Sequence, residues 1–129
     1  MKSLLGMVRR SDVVFRTNGC FDIKSRAVRA LDISPGDVVD VLSDGNEYFL
    51  YVACRPKNIS CGRFEAQVFP SNNRKGGRHF RGFSARLCQA MLAVSNAVGK
   101  AALPCGEVII DEHGRHLLPI IVRLNLTTQ

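Results

Sequence analysis

From residue 13 onward the chain reads as short apolar stretches separated by turn residues rather than by long polar spacers. "VVFRTNGCFDI" joins two β-branched and aromatic runs through Asn18-Gly19, the signal of a tight hairpin. In "KSRAVRAL" the period changes: Ala27, Val28 and Leu31 fall on one helical face, with Lys24, Arg26 and Arg29 off it. About two turns of helix are too few to stand alone in water, so this one has to pack. "SPGD" stops it, and "VVDVL" and "EYFLYVA" then flank Ser43-Asp44-Gly45-Asn46 as a second hairpin.

Residues 54–62 read as a connector, and "RFEAQVFP" as a strand with Phe64, Ala66 and Val68 on one side. Residues 70–82 form a basic, flexible loop rich in Asn and Gly. "FSARLCQAMLAVSNAVGKAAL" predicts one longer helix near 84–100, starting about Ser84, with Leu87, Met91, Val94 and Val98 on its apolar side and Pro104 beyond its end. "GEVIIDEHGRHLLPIIVRLNL" predicts a third hairpin turning at His113-Gly114, in which Pro119 points to an edge strand. Laying residue 26 on residue 86 repeats the order strand, helix, hairpin: a first unit over 12–53 and a diverged second unit over 63–126. The fold class expected is therefore mainly β with α (α+β), a single domain over 1–129 built as a small β-barrel of two strand–helix–hairpin units.

Charge sharpens the picture by its distribution. The net charge is +7, yet residues 1–53 are neutral and residues 105–129 are slightly acidic. The whole excess lies in 54–104, where nine basic residues face Glu65 alone. Thirteen of the eighteen basic residues are arginine, the better fork for phosphates and guanine edges. An anionic partner follows from this balance. Five cysteines at 20, 54, 61, 88 and 105, without paired short spacings, argue against a disulfide framework and for a reducing cytoplasm. "MKSLLGMVRR" is too short an apolar run for a signal peptide or membrane span, so no membrane association is expected.

Residues 13–53 resemble the swapped-hairpin, AbrB-like DNA-binding domains. Gly19, Phe21, Ile23, Arg29, Leu31, Ile33, Gly36-Asp37 and Val39/Val41 stand at the family's relative spacings. The resemblance implies an intertwined β-barrel of two such units, usually supplied by a homodimer. In the MraZ family both units lie in one chain. It further implies DNA binding in transcriptional regulation, with Arg29 matching a helix arginine of the family. Cys20, Lys24, Val28 and Asp32 depart from the family's usual residues. Within 13–53, moreover, four basic groups meet six acidic ones, so this face alone releases few counterions from a duplex.

The affinity is therefore assigned to the second half. Arg74, Lys75, Arg78, Arg81 and Arg86 are the expected phosphate contacts, with Lys24, Arg26 and Arg29 orienting the duplex. Without tryptophan and with only two tyrosines, an aromatic-rich platform for single strands is not expected. Interleaved His79, Phe80 and Phe83 would nonetheless stack on unpaired bases and move the reading toward RNA or single strands. The function expected is nucleic-acid binding, DNA before RNA, as a transcriptional regulator or accessory factor. The alternative is a protein-interaction module, antitoxin-like or an assembly subunit, that takes an acidic partner protein. No enzyme activity, cofactor or metal is expected. "GGRHFRG" lacks the phosphate-binding lysine pattern, the cysteines are not spaced as zinc knuckles, and His113-x-x-His116 would need further ligands.

Overall fold

The computed structural model describes residues 10–56, 65–71 and 79–122. The first hairpin forms as the sequence predicts, from β1 (Val13–Arg16) and β2 (Cys20–Ile23). Its turn uses Gly19 at φ +89°, and Cys20 N donates to Asn18 Oδ1 at 2.9 Å. α1 (Ser25–Leu31) follows and buries Ala27, Val28 and Leu31, the apolar face read from the sequence. Asp32 caps it in the left-handed region. The turn Ser34-Pro35-Gly36-Asp37 is closed by Asp37 N donating to Ser34 O at 3.1 Å, with Gly36 at φ +89° supplying the conformation a type II turn needs there. β3 (Val38–Asp44) and β4 (Glu47–Cys54) form the second hairpin.

The second half departs from its expected outline in four places. Of the strand predicted around 63–70, Phe64 lies outside the described residues, and among the described ones only β5 (Phe69–Pro70) forms a ladder, although Ala66 and Val68 are buried as expected. The end of the predicted loop is a strand, β6 (Phe80–Phe83), because Phe80 and Gly82 face the core while Arg81 and Phe83 face out. The predicted helix to residue 100 ends early: α2 (Ala85–Ser95) stops at Asn96 in the left-handed region. Gly99 at φ +86° then turns the chain into a strand, β7 (Lys100–Leu103), which pairs with β1. Sheet pairing has overridden the helix propensity of "KAAL", and Val98 is 97% exposed rather than in the core. The third hairpin, β8 (Ile109–Ile110) and β9 (His116–Ile120), turns at Gly114 as predicted. β9 is an interior strand, however, so Pro119 is not at an edge. Its carbonyl faces Gly106 N rather than β4, so its missing N–H interrupts no bond of the β4 ladder.

The result is α+β with two antiparallel sheets, ordered β5-β6-β2-β1-β7 and β3-β4-β9-β8. They do not close into a continuous barrel. Single bridges, Val38 to Gln67 and Cys105 to Ile120, join their margins instead. Phe15, Phe21, Ile23, Leu50, Met91 and Leu118 fill the space between, each under 2% exposed, and each such side chain contributes about 1.5–3 kcal/mol by burial. The Phe15 and Phe21 rings lie 6.0 Å apart, tilted by 34°.

β2 pairs antiparallel with β6 so that Cys20 meets Phe83 and Ile23 meets Phe80. Residues 20–23, cap residue 24 and helix start 25 thus correspond to 80–83, 84 and 85, a constant spacing of sixty residues, about a local two-fold axis. Gly82 lies at this crossing. A Cβ there would sit 2.7 Å from Phe21 Cζ and 2.9 Å from Val68 Cγ1. Gly82→Ala is expected to cost about 1–3 kcal/mol through overpacking. Gly106→Ala, whose Cβ would meet Pro119 only at 3.7 Å, is expected to be near neutral in the same urea titration.

Candidate functional site

An open cavity of about 810 Å³ lies where β2 gives way to α1. Arg10, Ser11, Asp12, Lys24, Arg26, Arg29 and His79 line it. Four guanidinium or ammonium groups, from the two sides of the first hairpin, thus face one carboxylate, with the His79 imidazole, far off in sequence, beside them.

The lone carboxylate is already committed. Asp12, 5% exposed, accepts from Arg26 Nε at 3.1 Å through Oδ1 and from Arg26 Nη2 at 2.9 Å through Oδ2. Its Oδ2 also accepts from Cys105 N at 2.8 Å, and Arg26 Nη2 donates to Cys105 O. The hydrogen bonds to Asp12 raise the Arg26 pKa above its ordinary value, against the opposing effect of burial, so the guanidinium stays charged. Arg26 is in this way a staple between the first strand and the chain after β7, with its outer part still 46% exposed. Lys24 Nζ donates to Ser11 Oγ at 3.2 Å, and Arg10 and Arg29 make no ion pair among the described residues.

Of the eight residues singled out by sequence, Lys24, Arg26 and Arg29 come together here. Arg74, Lys75 and Arg78 lie outside the described residues. The described residues that flank them are Ser71 and His79, whose carbonyl accepts from Ser71 N at 2.8 Å and Ser71 Oγ at 3.2 Å. Arg81 and Arg86 sit elsewhere and are paired. Arg81 Nε donates to Asp22 Oδ1 at 2.8 Å on the outer face of the first sheet, where Arg16 Nη1 meets Asp22 Oδ2 at 2.8 Å. Arg86 Nη2 meets Glu65 Oε1 at 2.6 Å, beside a groove of about 390 Å³ between the β3–β4 hairpin and α2. Ser84 Oγ donates to the same Glu65 while capping α2 by accepting from Leu87 N at 3.1 Å. Arg26 and Arg86 stand at the sixty-residue spacing, and each, as the second residue of its helix, holds an acid that precedes a strand, Asp12 and Glu65, although these two acids do not keep that spacing.

Arg10 was not among the residues singled out by sequence. Its only signal was a basic pair, Arg9-Arg10, in an arm with no periodicity. Phe80, read as a stacking side chain, is 3% exposed and anchors β6 in the core; Phe83 is 61% exposed. Cys20, Cys88 and Cys105 are buried free thiols, and burial pushes the Cys88 thiol up. Cys54 is disulfide-bonded, which runs against the absence of disulfides expected from the cysteine spacing. Among the described residues, no group of three or more His, Cys, Asp or Glu gathers to hold a metal, and no helix is long and apolar enough to cross a membrane.

Asp22 supplies a pH test of this electrostatic layout. Burial works against its charged form, but hydrogen bonds from Arg81 and then Arg16 outweigh that and bring its pKa below the ordinary 3.8. A carboxyl depressed by folding contributes stability above its unfolded value and loses that contribution as pH falls through the folded value. Asp22→Asn is therefore expected to be less stable than the unmodified chain by a constant margin above about pH 5, a margin that narrows below about pH 4. Thermal melts across pH check this; a margin that widens in acid contradicts it.

Compared with family models, curated proteins and solved structures, the chain matches none.

Proposed function

We propose that this chain binds nucleic acid, duplex DNA in the first instance, as a transcriptional regulator or accessory factor. The observation that carries the reading is the convergence of Arg10, Lys24, Arg26 and Arg29 with His79 on one open cavity. Asp12 spends its charge on Arg26 and Cys105 N, leaving Arg10, Lys24 and Arg29 to face phosphates. Arg74, Lys75 and Arg78, threaded between Ser71 and His79, enter the reading as further phosphate contacts. Arg81 and Arg86 enter it as weaker ones, since Asp22 and Glu65 already neutralise them. The order of importance is thus opposite to that expected from sequence for the described residues: Lys24 and Arg29, with Arg10, lead over Arg81 and Arg86.

The AbrB-like, swapped-hairpin reading belongs to the same proposal. Three features support a diverged duplication: the sixty-residue spacing about the β2–β6 crossing, the paired staples Arg26–Asp12 and Arg86–Glu65, and the exchange of partners between halves. In that exchange β1 pairs with β7, while residues 36–39 bond to 66–68. On this view the chain carries internally the two units that related domains obtain by dimerising, with the two sheets as an opened barrel.

A mobility-shift titration of the intact chain against duplex DNA across salt tests the function. Each phosphate neutralised contributes a slope of about −0.9 in log K against log salt, so contacts from Arg10, Lys24 and Arg29 alone predict a slope of about −2.7, steeper by about 0.9 for each further contact. Absence of binding at low salt, or a flat slope, rejects the proposal. Purification with an acidic protein partner and no nucleic acid would replace it by the protein-interaction reading.

A further inference from the structure

The outer face of the first sheet carries an arrangement of which the duplex reading uses Arg81 alone, and that as a weak contact. On β6, Arg81 and Phe83 point outward, and Phe69 on β5 stands directly opposite Arg81. The two phenylalanines are therefore diagonal cross-strand neighbours, about 7–8 Å apart, and they are 51% and 61% exposed. Phe69 is held in place from beneath, its Cε1 close to the backbone of Gly36. Between and beside the rings lies the ion triad in which Asp22 accepts from Arg81 Nε at 2.8 Å and from Arg81 Nη2 at 3.3 Å, and pairs with Arg16 at 2.8 Å. Lys100, opposite Arg16 on β7, is exposed on the same face.

We infer that this face binds single-stranded nucleic acid, with Phe69 and Phe83 each stacking an unpaired base and Arg81, Arg16 and Lys100 meeting the backbone. The chemistry follows from three features. Exposed rings on a rigid sheet accept any base, because every base offers a π-face. Asp22 engages two of the five guanidinium donors of Arg81, which fixes the group and leaves its other N–H groups for phosphate oxygens. Three cations against one carboxylate give a positive face, so a polyanion suits it and a second copy presenting the same face does not. Exposed apolar rings on a folded surface otherwise mark an interaction site in need of a partner. This surface is separate from the cavity at α1 and stands or falls separately from the duplex reading.

The test is fluorescence anisotropy of the full chain with labelled oligo-dT and oligo-U of about ten nucleotides, a length within the range of such sites, beside a labelled duplex. The unmodified chain is expected to bind a single strand. The ratio of the oligo-dT and oligo-U affinities distinguishes DNA from RNA as its source. Phe69→Leu with Phe83→Leu, which keeps apolar bulk but removes both rings, is expected to weaken single-strand binding by about 100-fold, about ten-fold per stacked base, with duplex binding unchanged. Phe69→Tyr with Phe83→Tyr is expected to retain it. The inference is overturned if neither oligomer binds, if the leucine pair binds them as tightly as the unmodified chain, or if that pair alters the oligomeric state instead. Loss of duplex binding alone overturns the preceding proposal and leaves this one intact.

Discussion

Replacing Arg55 by methionine is expected to destabilise the fold by about 3–5 kcal/mol, more than replacing its partner Asp37 by asparagine. Asp37 is 1% exposed at the end of the Ser34–Asp37 turn. Its Oδ2 accepts from Ser34 N at 2.8 Å and from Arg55 Nη1 at 2.9 Å. The same guanidinium donates to Asp32 O at 2.9 Å and to Leu31 O at 3.1 Å, so it also covers carbonyls left open where α1 ends. Without Arg55, a buried carboxylate keeps one backbone N–H and loses its counter-charge. Without the Asp37 charge, Arg55 is still 32% exposed and can draw on water. The asymmetry of exposure fixes the ranking, because the cost of breaking such a pair is set by the partner left behind. Urea unfolding of both variants measures it, and the reverse ranking would show that the carboxylate, not the guanidinium, organises this corner.

The second large effect falls on binding. Changing Arg10, Lys24 and Arg29 together to glutamine removes three counterion-releasing contacts. At about 0.1 M salt each is worth roughly 0.9 of a decade relative to 1 M, so duplex affinity is expected to fall by about 500-fold and the salt slope to flatten by about 2.7. All three side chains line the open cavity and none belongs to the buried core, so thermal midpoints should move little. Arg81→Gln is the informative comparison, because Asp22 already cancels part of its charge and its effect should be far smaller. An equal loss from Arg81→Gln, or an unchanged slope in the triple variant, would move the duplex site away from α1.

Much of the first half was legible because local signals there agree with one another. Asn18-Gly19, Pro35-Gly36 and Asp44-Gly45 each ask for the turn that forms, and the apolar face of α1 is the one buried. The second half was legible only where the same agreement held, as at Ser84 and Gly114. Residues 96–103 were misread because alanine, lysine and leucine favour helix. Their conformation is decided instead by β1, which lies some ninety residues earlier and offers an open edge. No local pattern carries that information. The site was half visible for a related reason. Counting charges identified basic residues, but pairing decides which are available, and Asp22 and Glu65 reach Arg81 and Arg86 only through the tertiary fold. The same count gave no sign that Arg10 lines the cavity beside Lys24 and Arg29, or that acids nearby in sequence, such as Asp32 and Asp40, do not line it.

The exchange of strands between the two halves has a consequence for how the chain reaches this state. Val13 pairs with Leu103 and Arg16 with Lys100, so β1 has one open side until residues 100–103 have been synthesised. β4, likewise, waits for β9. Pairings this distant in sequence place folding at the slow, millisecond-to-second end of single-domain rates, where loop closure must be met before the contacts that reward it. Neither half completes a sheet by itself, so a nascent first half emerges with unsatisfied strand edges and a seven-residue helix lacking much of its packing surface. Acquisition of structure is then nearly all-or-none, and any factor that shields β-edges in the interval would act on β1 and β4.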